Sequence, residues 1–456
     1  MIVLKFGGSS VEDAAAIDRV TGLVRGLLGR SPVIVVSAMA KTTRKLLESA
    51  EAAAAGNLPA ALDLFEELRE FHRREAYGVI PEAGRPAVDA VLDRSFADLQ
   101  RLLGELAESR ELTPRAADEA ASHGEVMSSA ILAGALEHAG VGADWVDCRR
   151  VLVTDDCFTR ARPVYEKTDP LLREALLPIA SRGRVPVLGG YVGSTPEGIT
   201  TTLGKEGSDF SAAIVGAALQ VEEIQIWTDV DGILTADPRL VPGARRIRTL
   251  SFAEALEIAS SGGKKPHPGT LGPASRAGVP IRILNSRHPE SEGTLIGRRS
   301  PDAPPTIKSI AGRSHDHLLY ALPAGAEDED LFLSSMLAES EPFRPSLMVL
   351  GTVEAAVHLA LDRRERLAEV RAALGRTAEL GVLRGRAVVS LVSEDLTHGS
   401  ELAARVLQAA RPYEPRLVVA GAACPVVRCL VEEEDMTSVI AELHERVLGG
   451  SQEVVE

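Results

Sequence analysis

Apolar residues fall into short continuous runs separated by longer stretches with helical spacing. The runs at 2–6 (IVLKF), 32–37 (PVIVVS), 144–147, 151–153, 185–188 (VPVL), 223–228 (EIQIWT) and 280–284 are rich in β-branched residues, so each is read as a strand. Between them, the Ala/Leu/Glu-rich segments 60–77, 86–109 and 113–139 predict helices. Strands that are apolar on both faces and alternate with helices need covering on both sides. Residues 1–297 therefore predict an α/β fold, a three-layer sandwich with a mainly parallel sheet. The helical block 44–139 reads as an excursion from that sheet, suited to forming a substrate lobe.

The Pro-rich stretch 300–305 (SPDAPP) makes 298–305 a linker. Beyond it the pattern changes. Strand 386–392, helix 400–411, strands 415–420 and 425–431, and helix 434–447 predict a small α+β module. Residues 306–380 carry a weaker version of the same punctuation, so 306–456 is read as a pair of such modules.

The chain has 456 residues, more than one hydrophobic core usually supports. Its formal net charge of −15 argues against nucleic acid or an anionic membrane as the main partner, because both rely on an excess of Lys and Arg. Small anions still respond to a local pocket. Cys148, Cys157, Cys424 and Cys429 form no CxxC pair and no metal-ligand spacing with His, which fits inert thiols in a reducing compartment. No apolar stretch reaches the roughly 20 residues that span a bilayer, and the N-terminus opens on a strand-like run, so a cytoplasmic location is expected.

Three segments carry chemistry. Lys5-Phe6-Gly7-Gly8-Ser9-Ser10 follows a strand and precedes a helix. Glycines there let backbone N–H groups approach an anion, the helix N-terminus favours negative charge, and Lys5 can reach a phosphoryl group. The spacing is neither a Walker A motif nor the Rossmann GxGxxG, and alone it is also a common strand-to-helix turn. Thr200-Thr201-Thr202-Leu203-Gly204-Lys205-Glu206-Gly207-Ser208-Asp209 is a second glycine-containing loop feeding a helix, with a cation, Ser and Asp suited to a charged substrate. Asp209 is equally a favourable first-turn charge. Trp227 to Arg239 (WTDVDGILTADPR) ends a strand on a Gly turn and supplies acceptors for ribose hydroxyls and donors for phosphates.

In order, KFGGSS, SAMAKTT, SHGE, GGYVGSTPEGITTTLGKEGSD, WTDVDGILTADPR and GGKKPHP resemble the aspartate kinase branch of the amino-acid kinase family over residues 1–297. The 306–456 region resembles that family's paired ACT modules less closely, the first one being degenerate. The resemblance implies phosphorylation of the aspartate β-carboxylate by ATP with Mg²⁺, the first step towards lysine, threonine and methionine. It also implies a homodimer or higher homo-oligomer through the ACT-like region. A carboxylate is already a nucleophile at neutral pH, so catalysis would rest on positioning and charge neutralisation.

By motif position, Lys5 would stabilise charge on the transferred phosphoryl group and Asp209 would orient Lys5. Gly7, Gly8 and Ser9 would offer amides to the phosphates. Thr43, Glu125, Lys205 and Ser208 would contact the amino acid, with Glu125 facing its α-ammonium. Thr228, Asp229, Leu234, Arg239 and Lys264 fall where the family binds nucleotide. His123, beside Glu125, is read as structural. No residue is assigned to a metal.

Departures from the family pattern are local. Lys205 stands where Arg is common, replacing a bidentate fork with a point charge. Lys41 and Arg44 add two cations to the SAMAKTT loop, either beside the pocket or facing solvent. Lys265-Pro266 replaces an apolar pair, and Leu234 replaces an aromatic. Ala326-Glu327-Asp328-Glu329-Asp330 is acidic where an effector loop is expected, Glu394 to Gly399 keeps a Gly, and Val419 to Ala423 lacks the usual polar run. Weak or absent feedback by lysine or threonine is therefore expected. The alternatives are a kinase of this fold acting on another small carboxylate, or a non-catalytic regulatory subunit.

Overall fold

In the computed structural model the described residues are 1–262, 268–298, 307–315, 317–323, 329–340, 343, 347–353, 356–361, 366–393, 399–420 and 426–449. The chain forms two compact units, Met1–Ile233 with Pro266–Arg298, and Leu234–Lys265 with Arg299–Glu456.

The first unit is built on the apolar runs. Ile2–Phe6 and Pro32–Val36 are buried at every position, as strands covered on both faces must be. The strand order is Ala143–Val146, Val185–Gly189, Pro32–Val36, Ile2–Phe6, Glu223–Thr228, Ile281–Asn285 and Thr294–Gly297. All neighbours are parallel except the last pair. Six parallel strands therefore end on one edge, at Val146, Gly189, Val36, Phe6, Thr228 and Asn285. In open α/β sheets, that edge is where ligands bind.

The helical block resolves into Thr42–Ala54, Leu58–Val79, Arg85–Ser109 and Pro114–His138. Asn57 and Thr113 start two of these helices, each accepting the backbone N–H three residues on. The block shares one core with the sheet, in which Phe65, Leu68, Leu92, Phe96 and Ile131 join Leu4, Phe6 and Ile34. It is continuous with the sandwich at the core, and it carries Thr43 and Glu125 to the strand ends.

The run 151–153 is not a strand. Val151 closes the 3₁₀ turn Cys148–Arg150, and Val153 makes only an isolated bridge to Ser194. The short hairpin Val192–Ser194 with Thr200–Thr202 was not anticipated, because its residues are mostly Gly, Ser and Thr. Among the described residues no helix is long and apolar enough to cross a membrane.

The second unit holds two four-stranded antiparallel sheets. One has the order Ser309–His315, Arg386–Val392, Val426–Glu432, Leu417–Ala420. The other has the order Leu347–Val353, Ala356–Leu361, His317–Pro323, Ala378–Leu383. The modules are thus not consecutive in sequence, since Ser309–His315 joins the later sheet. Residues Leu234–Lys265 belong to this unit, where Ala236 and Val241 enter the core of Val389, Val427 and Ile440. Thr235 Oγ1 lies 2.9 Å from His444 Nε2 in the same unit.

Candidate active site

Lys5 is an apolar strand's one charged residue, and it is buried with Asp209 at its ammonium group. Asp209 comes from the first turn of helix Gly207–Leu219, whose dipole favours a carboxylate there. A buried pair of this kind is retained only with both members, because removing one leaves an uncompensated charge at a cost of about 3–5 kcal/mol. Gly7 places its backbone over the pair, since a Cβ on Gly7 would lie 3.6 Å from Lys5 Nζ. Its own N–H donates to the Trp227 carbonyl at 3.1 Å, which ties the first glycine loop to the neighbouring strand end. Gly8 has to be glycine, because a Cβ there would come within 2.8 Å of the Ala38 carbonyl oxygen. Ser10 and Ser286 share a hydroxyl hydrogen bond of 2.8 Å, and Ser286 also donates to the Thr228 carbonyl. The Thr228 hydroxyl donates to Asp229 at 3.1 Å. Lys5, Gly7, Gly8, Thr228 and Asp229 are therefore gathered at adjacent strand ends, as a phosphate-and-sugar subsite requires.

Beside them is a cavity of about 400 Å³ lined by Thr43, Glu125, Thr159, Tyr191, Lys205, Glu206 and Ser208, among others. That is a suitable volume for a small ligand. It brings together all four residues expected to meet the amino acid. Gly190 allows Ser208 to approach, because a Cβ there would sit 2.6 Å from the Ser208 Cβ. Glu125 is buried, and its Oε2 has no partner among the described residues. Burial pushes its carboxyl up to about 8, against the pull of the Ala38 backbone and the Lys5 charge. A buried carboxyl with an unmet oxygen is a receptor for a cation.

The cavity is also where backbone strain collects. Thr159 (φ 70°), Tyr191 (φ 65°) and Glu206 (φ 55°) all line it in left-handed conformations that glycine would adopt more cheaply. For a β-branched Thr this is an outlier, and such strain persists only where the surroundings enforce it. Asp118 supplies part of that enforcement. It is buried one face-repeat before Glu125 on the same helix, and accepts the N–H of Thr159 (2.9 Å), the N–H of Thr202 (2.9 Å) and the Thr202 hydroxyl (2.6 Å). Sequence reasoning missed Asp118, because the partners that give it a role, Thr159 and Thr202, are remote in sequence.

The added cations of the SAMAKTT loop separate. Arg44 is exposed and pairs with Glu48 at 2.6 Å, one helical turn on. Lys41 lines a second hollow of about 600 Å³ with Ser9, Lys45, Phe71 and Arg74, instead of the Glu125 cavity. Neither residue lines the Glu125 cavity. His123 is buried, and burial first, then Arg149 and Arg101, lower it to about 4, so it stays neutral. Leu234 and Arg239 lie in the second unit, where Leu234 bridges Arg246 and exposed Arg239 is held by Asp237. Lys264 lies outside the described residues, as do Lys265, the stretch 300–305 and the greater part of the three effector-loop segments.

Residues 1–285 match the model of the amino acid kinase family. The chain is 32% identical to lysine-sensitive aspartokinase 3 of Escherichia coli, covering 97% of this chain and 98% of that one. It is also 32% identical to chloroplastic aspartokinase 2 of Arabidopsis thaliana, over 97% of this chain and 83% of the relative. Among solved structures, E. coli aspartokinase III in complex with aspartate and ADP matches with a TM-score of 0.83 at 31% identity, covering 98% of this chain and 100% of that one.

Proposed function

From a chain that belongs to the amino acid kinase family, and within it to the aspartokinases, we propose ATP-dependent phosphorylation of the aspartate β-carboxylate, giving 4-phospho-aspartate and ADP. The observation that carries this reading is the buried Lys5–Asp209 pair under Gly7, set beside a cavity whose Glu125 awaits a cation.

In the reaction, a β-carboxylate oxygen attacks the γ-phosphorus in line. One O–P bond forms, the bond from the γ-phosphorus to the bridging oxygen breaks, and ADP leaves with that electron pair. No proton need move, because the β-carboxylate is ionised well below neutral pH. Lys5 offsets the charge that develops on the transferred group, while Asp209 holds the Lys5 ammonium in place and accepts no proton. Gly8 and Ser9 offer amides to the phosphates, while Gly7, whose own N–H is committed to the Trp227 carbonyl, leaves room for them to approach. Glu125 takes the α-ammonium, and Thr43, Lys205 and Ser208 orient the carboxylates. Thr228 and Asp229 serve the nucleotide in this assignment.

No cluster of three or more His, Cys, Asp or Glu metal ligands occurs among the described residues. Asp209 and Asp229 are the carboxylates at these strand ends, and a Mg²⁺ ion would be carried mainly by the nucleotide's phosphates with few protein ligands. When bound, the ion neutralises phosphate charge and favours departure of ADP.

Residues 1–297 are assigned to catalysis and 306–456, after the linker 298–305, to two ACT-like modules. These modules are proposed to hold a homodimer or larger homo-oligomer, with weak or absent feedback by lysine or threonine. ADP release measured over aspartate, glutamate and their desamino analogues tests the substrate assignment. Turnover that depends on aspartate supports it, and turnover only with another acceptor replaces aspartate.

A further inference from the structure

Glu206 stands at the N-cap of helix Gly207–Leu219 with φ 55°, yet its side chain makes no capping hydrogen bond. A glycine would hold this turn with less strain, so the local fold gives no reason for a glutamate. Its Oε2 is buried without a partner among the described residues, and no ion pair to Lys205 is formed there. The same cavity contains the other unmet carboxylate oxygen, that of buried Glu125. Two acceptors without donors line one wall set, and the acceptor's carboxylates gain nothing from either. A single cation placed between them would satisfy both.

We propose that Glu206 is a second receptor for the ammonium group of the phosphoryl acceptor, which lies between Glu125 and Glu206, so that the pocket rejects acceptors lacking that group. Glu206 is then a specificity-determining residue, and its backbone strain is the cost of placing a carboxylate where glycine would otherwise sit. The inference rests on reading this cavity as the acceptor site. It differs from a structural role in affecting amino acids and their desamino analogues unequally. It also explains how a point-charge Lys205 can suffice, since recognition shifts from the carboxylate to the ammonium end.

The test compares wild type, Glu206→Gln and Glu206→Gly with aspartate against succinate and glutamate against glutarate at saturating ATP. In Glu206→Gln, the kcat/KM preference for the amino acceptor is expected to fall about tenfold or more, through KM of that acceptor. The kcat should stay within about threefold, and KM for the desamino acceptor should stay level or fall. Glu206→Gly is expected to lose the same preference without a lower Tm, which separates recognition from folding. An unchanged preference in Glu206→Gln overturns the proposal, as does a best wild-type acceptor without an ammonium group. If glutamate outperforms aspartate, the aspartate reading falls while the glutamate-to-glutarate ratio still decides Glu206. If no acceptor turns over, calorimetric binding of aspartate and succinate decides, and equal affinities in wild type overturn the inference.

Discussion

Binding of aspartate should expel a proton from Glu125. In the free protein, burial raises this carboxyl from 4.5 to about 8. The folded group therefore holds its proton more tightly than the unfolded chain does. Its effect on stability is most favourable below about pH 4.5 and declines as the pH rises towards about 8. At pH 6 nearly every molecule carries the proton, and at pH 8 roughly half do. An ammonium ion pairs with the carboxylate form, so aspartate must displace that proton. Proton release per aspartate bound should be close to one at pH 6 and about one half at pH 8, and the apparent Kd should tighten roughly fiftyfold between them. Isothermal titration in phosphate and in Tris separates the proton count from the binding heat, because the buffers differ in ionisation enthalpy. Glu125→Gln should abolish both the release and the pH dependence. A flat Kd between pH 6 and 8 with no proton release would refute the reasoning, since Glu125 would then be ionised in the free cavity or unused by the ligand.

Asp118→Ala leaves the buried N–H and hydroxyl of Thr202 and the part-buried N–H of Thr159 unmet, and should lower stability by about 2–4 kcal/mol in urea unfolding while raising KM for the acceptor. Asp118→Asn should recover part of the stability, because its amide oxygen can still accept. Lys5→Ala should reduce kcat by about 10² to 10³ with a smaller change in KM for aspartate, measured by coupled ADP release. Retained turnover would undo the role given to Lys5. Titration with lysine or threonine to millimolar levels should leave aspartate-dependent turnover largely intact, and strong inhibition by either would restore a working effector site.

Much of the first unit was legible because each element carried its own period. Ile2–Phe6 and Glu223–Thr228 are largely apolar runs, and helices Leu58–Val79 and Arg85–Ser109 follow their amphipathic spacing, whereas Pro114–His138 is buried on every side from Ala120 to Ala133. The residues of the site were legible one loop at a time. Their meeting was not, because pairing Lys5 with Asp209 depends on the parallel register of Ile2–Phe6 with its neighbours and on the placing of helix Gly207–Leu219. Asp118 was invisible for another reason. A single acid in an Ala-rich helix has no local signature, and its importance comes from Thr159 and Thr202 arriving beside it. The left-handed turns at Thr159, Tyr191 and Glu206 could not be read either, since sequence signals for that conformation rest on glycine and asparagine. In the second unit, Ser309–His315 pairing with Arg386–Val392 is a non-local choice that strand periodicity does not encode.

The central claim is phosphoryl transfer to a carboxylate at the Lys5–Asp209 end of the first unit. Trapping the product with hydroxylamine tests it most directly, because an acyl phosphate yields a hydroxamate and a phosphate monoester does not. With ATP, Mg²⁺ and aspartate, aspartyl β-hydroxamate is predicted to form in step with ADP, and its rate to fall by about 10² to 10³ in Lys5→Ala. ADP released without hydroxamate, or hydroxamate formed undiminished without Lys5, would contradict the account.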